Sequence, residues 1–295
     1  PCIDQLIDAT AAHDLLCFLD AYTGYHQIKM KESDQAATTF ITPYGPFFFN
    51  TMPFWLKNAG ATYQRMIQTC LEKQIGKTVE AYVDDVVIKT RHVETLIDDL
   101  RLTFDNLRAY EIKLNPEKCV FGVPAGKLLG FIISNRGIEA NPAKIRALSQ
   151  LATLTDLKQV QKLAGCVAAL SRFISILGEK ALPLYRLLWR TDNFEWTDAA
   201  TAGLEEIKAL LASNPILAAP NTGEAMLLYI SATHQVVSVV LIVKQEQDGH
   251  KFPLQKPVYY VSTVLTPCKS RYRYYQKIAY TVFMASRKLR HYFQE

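Results

Sequence analysis

Several features that would narrow the class of this chain at once are missing from it. Its six cysteines, at positions 2, 17, 70, 119, 166 and 268, form no C-x-x-C pair and have no zinc-knuckle spacing. A cysteine-built zinc module is therefore excluded, and reduced thiols in a cytosolic or nuclear protein are expected. No charged-then-apolar leader opens the chain, and Pro1-Cys2-Ile3-Asp4 reads as the middle of a longer coding sequence. Internal repeats and low-complexity linkers are absent. Long apolar runs are scarce. Met226 to Val243 has the length of a membrane span, but Ser231, Thr233, His234, Gln235 and Ser238 interrupt it. Two buried strands joined by a polar turn are expected there, and no membrane segment. A large excess of one charge is lacking too: a net charge of +5 permits a polyanionic partner without demanding one.

What is present is the composition of a folded protein, 49% apolar and 21% charged over 295 residues, enough for two or three cores. Leu15 to Leu19 reads as a strand ending at Asp20, followed by strand-like pieces at Tyr25 to Met30, Thr38 to Ile41 and Phe47 to Asn50. Helical periodicity takes over from Asn58 to Ile75 and again from Val93 to Tyr110, where Leu96, Ile97, Leu100, Phe104 and Leu107 make one stripe. Further strands are expected at Lys113 to Phe121 and Leu128 to Ser134. The fold class that emerges for residues 1–138 is α+β. Residues 139–222 change to helices, one of them capped by Thr155-Asp156. On that helix Lys158, Lys162 and Arg172 lie away from the apolar centre, as a solvated face or one that tracks a phosphate backbone. Residues 223–295 return to strands at Met226 to Ser231, Val236 to Lys244 and Val258 to Ser262, and end on a helix from Tyr274 to Phe293.

The most informative segment is Tyr82-Val83-Asp84-Asp85, between the apolar runs Val79 to Val83 and Val86 to Ile88. It reads as a β-hairpin with two carboxylates at its tip. Asp-Asp alone says little, because aspartate is common in turns. A third carboxylate, Asp20, closes another apolar run upstream. Two-metal nucleotidyl transfer needs carboxylates that converge from separate strands, and these three converge if their strands lie side by side.

Phe18-Leu19-Asp20-Ala21-Tyr22-Thr23-Gly24-Tyr25-His26-Gln27-Ile28 resembles the first palm motif of reverse transcriptases from Gypsy-type LTR retrotransposons, those of plants in particular. Met52-Pro53-Phe54 with Leu56-Lys57-Asn58-Ala59-Gly60-Ala61-Thr62-Tyr63-Gln64 resembles the second, and Tyr82 to Asp85 the third. Leu114-Asn115-Pro116-Glu117-Lys118-Cys119 and Leu129-Gly130-Phe131 resemble the segments that complete the palm and grip the primer. The resemblance implies a palm with truncated fingers over 1–138, a helical thumb or connection over 139–222 and a partial RNase H-like domain over 223–295. It implies Asp20 and Asp84 as ligands of Mg²⁺ or Mn²⁺, with Asp85 as the supporting acid. Tyr25 would exclude a ribose 2′-hydroxyl, Phe54 would line the nucleotide pocket and Lys118 would approach the triphosphate. The implied partners are an RNA template, a DNA primer, their hybrid, dNTPs and other segments of a parent polyprotein.

Three departures bear on activity. The basic fingers residues that the family places upstream of the first motif are not in this sequence. Trp55 stands where the family has glycine, and an indole there is expected to fill space beside the templating base. Ser231 and Ile278 stand where the RNase H-like region should carry catalytic acids, so no RNase H cleavage is expected. Two readings follow: an RNA-directed DNA polymerase, or a catalytically dead nucleic-acid-binding remnant. No retropepsin Asp-Thr/Ser-Gly triplet and no His-rich integrase pattern occurs in these residues.

Overall fold

The computed structural model describes residues 2–151, 154–189, 194–221, 223–246, 249 and 251–294. The chain divides into two units, one holding the residues up to Leu129 with Ile133–Asn135, the other Gly130–Ile132 with the residues from Arg136 onward.

The first unit contains helices α1 (Ile3–Thr10), a short α2 (Glu32–Gln35), α3 (Ala59–Cys70) and α4 (Leu96–Ala109). Its strands are β1 (Leu15–Asp20), β2 (Phe40–Thr42), β3 (Gly45–Phe47), β4 (Val79–Tyr82), β5 (Asp85–Thr90), β6 (Val120–Val123) and β7 (Ala125–Leu128). Four of them form one sheet in the order β4-β5-β1-β6, so β1 runs between the acid hairpin and β6. Alternation along β1 and β5 decides which side chains are inside. Cys17, Leu19, Val86 and Ile88 join Tyr63, Ile67, Leu71 and Leu107 in one core, on the sheet face that α3 and α4 cover. In β4 and β5, Glu80 and Lys89 form a buried ion pair at 2.8 Å, and the Lys89 ammonium also donates to the Ala9 carbonyl at 2.7 Å.

Residues 25 to 50 depart from expectation. The segment read as a strand from Tyr25 carries a 3-10 turn at Gly24–Gln27 and pairs only through an isolated bridge, Lys29 with Thr51. The regular pairing nearby is the short β2–β3 hairpin around Tyr44. Lys113 to Phe121 likewise yields a bridge at Leu114 and a strand only from Val120.

The division between the units falls within β8 (Phe131–Ser134). In the second unit, β9 (Gly137–Ala140) pairs with β10 (Ile216–Leu217). Between them lie α5 (Pro142–Ser149), α6 (Leu157–Ala168), α7 (Leu177–Lys180), α8 (Leu182–Trp189) and α9 (Asp198–Ala212). The Asn141 side chain caps α5 ahead of Pro142, and Asp156 caps α6 by accepting from the Gln159 amide at 2.8 Å. Val160, Leu163 and Val167 are buried as the periodicity requires, and Lys158 and Lys162 are exposed. Arg172 overturns the surface reading given to it: it is 3% exposed, stacks over the Tyr259 ring at 4.7 Å and donates to the Tyr292 hydroxyl at 3.3 Å. A guanidinium can be buried when its plane stacks and its donors are used.

The remaining strands, β11 (Met226–Ala232), β12 (Val236–Gln245) and β13 (Leu254–Val264), form an antiparallel sheet. They are followed by α10 (Pro267–Ser270), α11 (Tyr274–Lys288) and α12 (Arg290–Phe293). Met226 to Val243 is thus two strands and a polar turn; β12 is largely buried as expected, whereas β11 has no fully buried residue, and no helix among the described residues is long and apolar enough to cross a membrane.

Candidate active site

The sheet register assembles the acids. Asp20, the last residue of β1, lies opposite Asp85, the first of β5, so their side chains leave the same face of the sheet. Tyr82 pairs with Asp85, which leaves Val83 and Asp84 as a two-residue loop at the hairpin tip. Val83 has φ +50°, a costly conformation for a β-branched residue. The three carboxylates expected from sequence are therefore brought to one end of one sheet.

Their electrostatics show the crowding. Partial loss of hydration, then the nearby Asp20 and Asp85 charges, hold the Asp84 carboxyl above its ordinary pKa, with Lys118 opposing. Desolvation and Asp20 raise Asp85 in the same way. The Lys118 ammonium lies 3.6 Å from an Asp20 oxygen in a largely exposed pair. Lys118 is thus placed beside Asp20.

Tyr25 stands in the turn that follows β1, and its ring lies 5.3 Å from that of Tyr63 on α3. Burial and then the Asp84 charge raise its hydroxyl pKa. Tyr63 is fully buried, and its hydroxyl finds no hydrogen-bond partner among the described residues. Burial, Asp84, Tyr25 and Asp20 all push the Tyr63 pKa far up, which keeps the phenol neutral beside the acids. Gly24 is required here, because a Cβ on it would meet the Tyr63 ring at 2.8–2.9 Å.

Phe54 and Trp55 are 69% and 55% exposed. The Trp55 indole meets Phe54 edge-on at 5.4 Å and Phe49 edge-on at 4.8 Å, and Phe49 continues to Phe40 on β2 at 5.3 Å. The indole is thus anchored on the aromatic side chains of the β2–β3 region. The residue that sequence reasoning missed is Gln64. Its side chain is buried on α3 and hydrogen-bonds the backbone of the acid hairpin on both sides of Tyr82. The signal was a polar residue in line with Gly60 and Ile67 on the inner stripe of an otherwise amphipathic helix.

Carboxylates whose pKa values are raised, by lost hydration first and by one another's charge second, are a donor set that suits a hard divalent cation, so the residues fit one in chemistry. Among the described residues no three His, Cys, Asp or Glu side chains are gathered closely enough to hold one.

Residues 2–133 match the family described as reverse transcriptase (RNA-dependent DNA polymerase), and residues 196–295 match the RNase H-like domain found in reverse transcriptase. The chain thus carries a reverse transcriptase domain followed by an RNase H-like domain. Among similar proteins, the Retrovirus-related Pol polyprotein from transposon opus of Drosophila melanogaster is 31% identical over 93% of this chain and 28% of its own length. The transposon Tf2-3 polyprotein of Schizosaccharomyces pombe is 26% identical over 100% of this chain and 22% of its own length. The pair of domains is that of a retrotransposon polyprotein, and this chain spans about a quarter of the curated relatives it matches. Among solved structures, the foamy viral protease-reverse transcriptase in complex with RNA/DNA hybrid matches with a TM-score of 0.82 at 20% identity, over 96% of this chain and 38% of that one. Its dRH form in complex with ds DNA gives 0.84 at 20% identity, over 97% and 49%. At that identity the likeness shows the fold.

Proposed function

We propose that this chain is the RNA-directed DNA polymerase segment of a plant Gypsy-type retrotransposon polyprotein, extending a DNA primer on an RNA template with dNTPs. The observation that carries this is the pairing of Asp20 with Asp85 across β1 and β5, with Asp84 at the adjoining tip. Asp20 and Asp84 hold Mg²⁺ or Mn²⁺, and Asp85 supports them. A divalent cation bound there supplies charge stabilisation at the primer hydroxyl and at the leaving pyrophosphate. The chain's own residues do the rest. Tyr25 blocks the 2′ position of the incoming sugar, Phe54 lies along the nucleotide, and Lys118 leaves Asp20 to neutralise phosphate charge. Residues 1–138 act as palm and remnant fingers, 139–222 as thumb or connection, and 223–295 as a partial RNase H-like domain.

That last domain does not cleave RNA. Ser231 on β11 and Ile278 on α11 offer no carboxylate where the acids would stand. Its role is to hold the RNA–DNA hybrid. The second reading is a folded remnant that binds nucleic acid without extending a primer. The Lys118–Asp20 contact favours it, because it engages a carboxylate that catalysis needs.

Primer extension on an RNA template, with the chain beside its Trp55→Gly and Asp84→Asn forms, separates these readings. Extension lost only in Asp84→Asn supports the polymerase. Extension gained only with Trp55→Gly identifies the indole as the lesion. With no extension from any form, hybrid binding that weakens steeply with salt establishes the remnant.

A further inference from the structure

β4 is the edge strand of the acid-bearing sheet, with β5 on one side and no strand among the described residues on the other. An edge strand leaves backbone N–H and C=O groups without ladder partners. The Gln64 side chain takes the place of a neighbouring strand. Its Nε2 donates to the Ala81 carbonyl at 3.1 Å, and its Oε1 accepts from the Val83 amide at 2.6 Å. The amide is 8% exposed and both of its ends are used. One side chain therefore ties down the backbone immediately before and after Tyr82, the residue that leads into the turn.

That turn needs holding. Val83 occupies the first central position of a two-residue hairpin loop with φ +50°, where a loop of this kind with positive φ takes glycine. A β-branched residue at positive φ is strained, and the strain persists only where the surroundings over-determine it. The hydrogen bond from the Val83 amide to Gln64 supplies that constraint directly. Asp84 follows at once, so the direction of its carboxylate depends on the Val83 backbone.

We infer that Gln64 is a positioning residue, which clamps the strained Val83 turn from α3 and thereby sets where Asp84 and Asp85 present their carboxylates. The inference rests on the acid site proposed above and assigns it a support outside the acids themselves. Loss of a group that orients metal-binding side chains costs about 10–100-fold in metal affinity or activity.

The test uses the full chain and its Gln64→Met, Val83→Gly, Gln64→Met/Val83→Gly and Asp84→Asn forms. Methionine keeps the volume of glutamine and removes both hydrogen bonds, and a thermal melt of each form establishes that it is folded. Two readouts are taken: hydrogen exchange of the amides at residues 81–85, and Mn²⁺ binding followed by electron paramagnetic resonance. In Gln64→Met the Val83 amide is expected to exchange about fivefold to tenfold faster, the scale of one lost hydrogen bond. Mn²⁺ affinity is expected to fall about tenfold or more. Glycine at 83 relieves the strain, so Gln64→Met should cost less Mn²⁺ affinity on the Val83→Gly background than on the Val83 one. Unchanged exchange in Gln64→Met overturns the clamp. Faster exchange with unchanged Mn²⁺ binding overturns the positioning role. Equal Mn²⁺ binding by the parent chain and Asp84→Asn defeats the acid-site reading instead, and the exchange readout then decides on the clamp alone.

Discussion

At the scale of single residues, the acids are in conflict with the stability of the fold. Asp84 and Asp85 have pKa values raised above the ordinary 3.8, by lost hydration first and neighbouring carboxylates second. Folding therefore favours their protonated forms. That contribution is full below the unfolded pKa and is lost as pH rises through the raised folded values, so at neutral pH both charges oppose folding. Asp84→Asn is expected to melt slightly higher than the parent chain at pH 7, and the difference should vanish by about pH 3. The side chain is exposed and screened, so the gain is about 0.5 kcal/mol or less. A lower melting temperature for Asp84→Asn at pH 7 would show that the carboxylate is satisfied by a partner. Tyr25 carries a separate prediction about discrimination. Replacing it by alanine should raise ribonucleotide use relative to deoxyribonucleotide by about 10–100-fold, the scale of a steric contact in a pocket. Competitive incorporation of the two nucleotides measures it, and an unchanged ratio would remove Tyr25 from the sugar site.

At the scale of elements, the acid sheet is held by a charge pair on the same face that its acids leave. Lys89 and Glu80 lie on adjacent strands with side chains 4% and 11% exposed. The Lys89 ammonium also bonds the last turn of α1 through Ala9. Removing one partner leaves the other charge buried, so Lys89→Met should cost about 3–5 kcal/mol in urea unfolding. A cost under about 1 kcal/mol would place the pair in effective contact with solvent. The elements also show what was legible in advance. The helix at α4, the cap of α6 and the strands β11 and β12 follow from local pattern, and the structure contains them, although Ile97 of the expected α4 stripe is exposed. Two of the helices left unread carried signals of their own. Ile3, Leu6, Ile7 and Thr10 have helical spacing in α1, and Asn141-Pro142 is a helix start. Residues 25 to 50 were not legible, because short apolar pieces have no period long enough to separate a strand from a packed turn. The three acids could be read from their motifs, and the register that pairs Asp20 with Asp85 was expected only on the condition that their strands adjoin. Gln64 was hidden because its partners are backbone atoms, and backbone partners leave no mark in a sequence.

At the scale of the whole molecule, two units carry a reverse transcriptase domain and an RNase H-like domain whose acid positions are filled differently. The first has three carboxylates at one end of one sheet. The second has Ser231 and Ile278, with Lys277 buried and bonded to the Thr233 and His234 carbonyls at 3.1 and 2.8 Å. Lys277 thus fastens α11 to the turn between β11 and β12, so this domain keeps its packing without the carboxylates. The proposed function makes the molecule a polymerase with a structural tail. The measurement that tests this most directly is single-nucleotide incorporation on an RNA template with Mg²⁺, comparing the parent chain with Asp20→Asn, Asp84→Asn and Asp85→Asn. The account predicts Mg²⁺-dependent incorporation that falls on the order of a thousandfold in the first two, the scale of losing transition-state charge stabilisation, and less in Asp85→Asn. Incorporation that survives in Asp84→Asn, or that is absent from the parent chain, would contradict it.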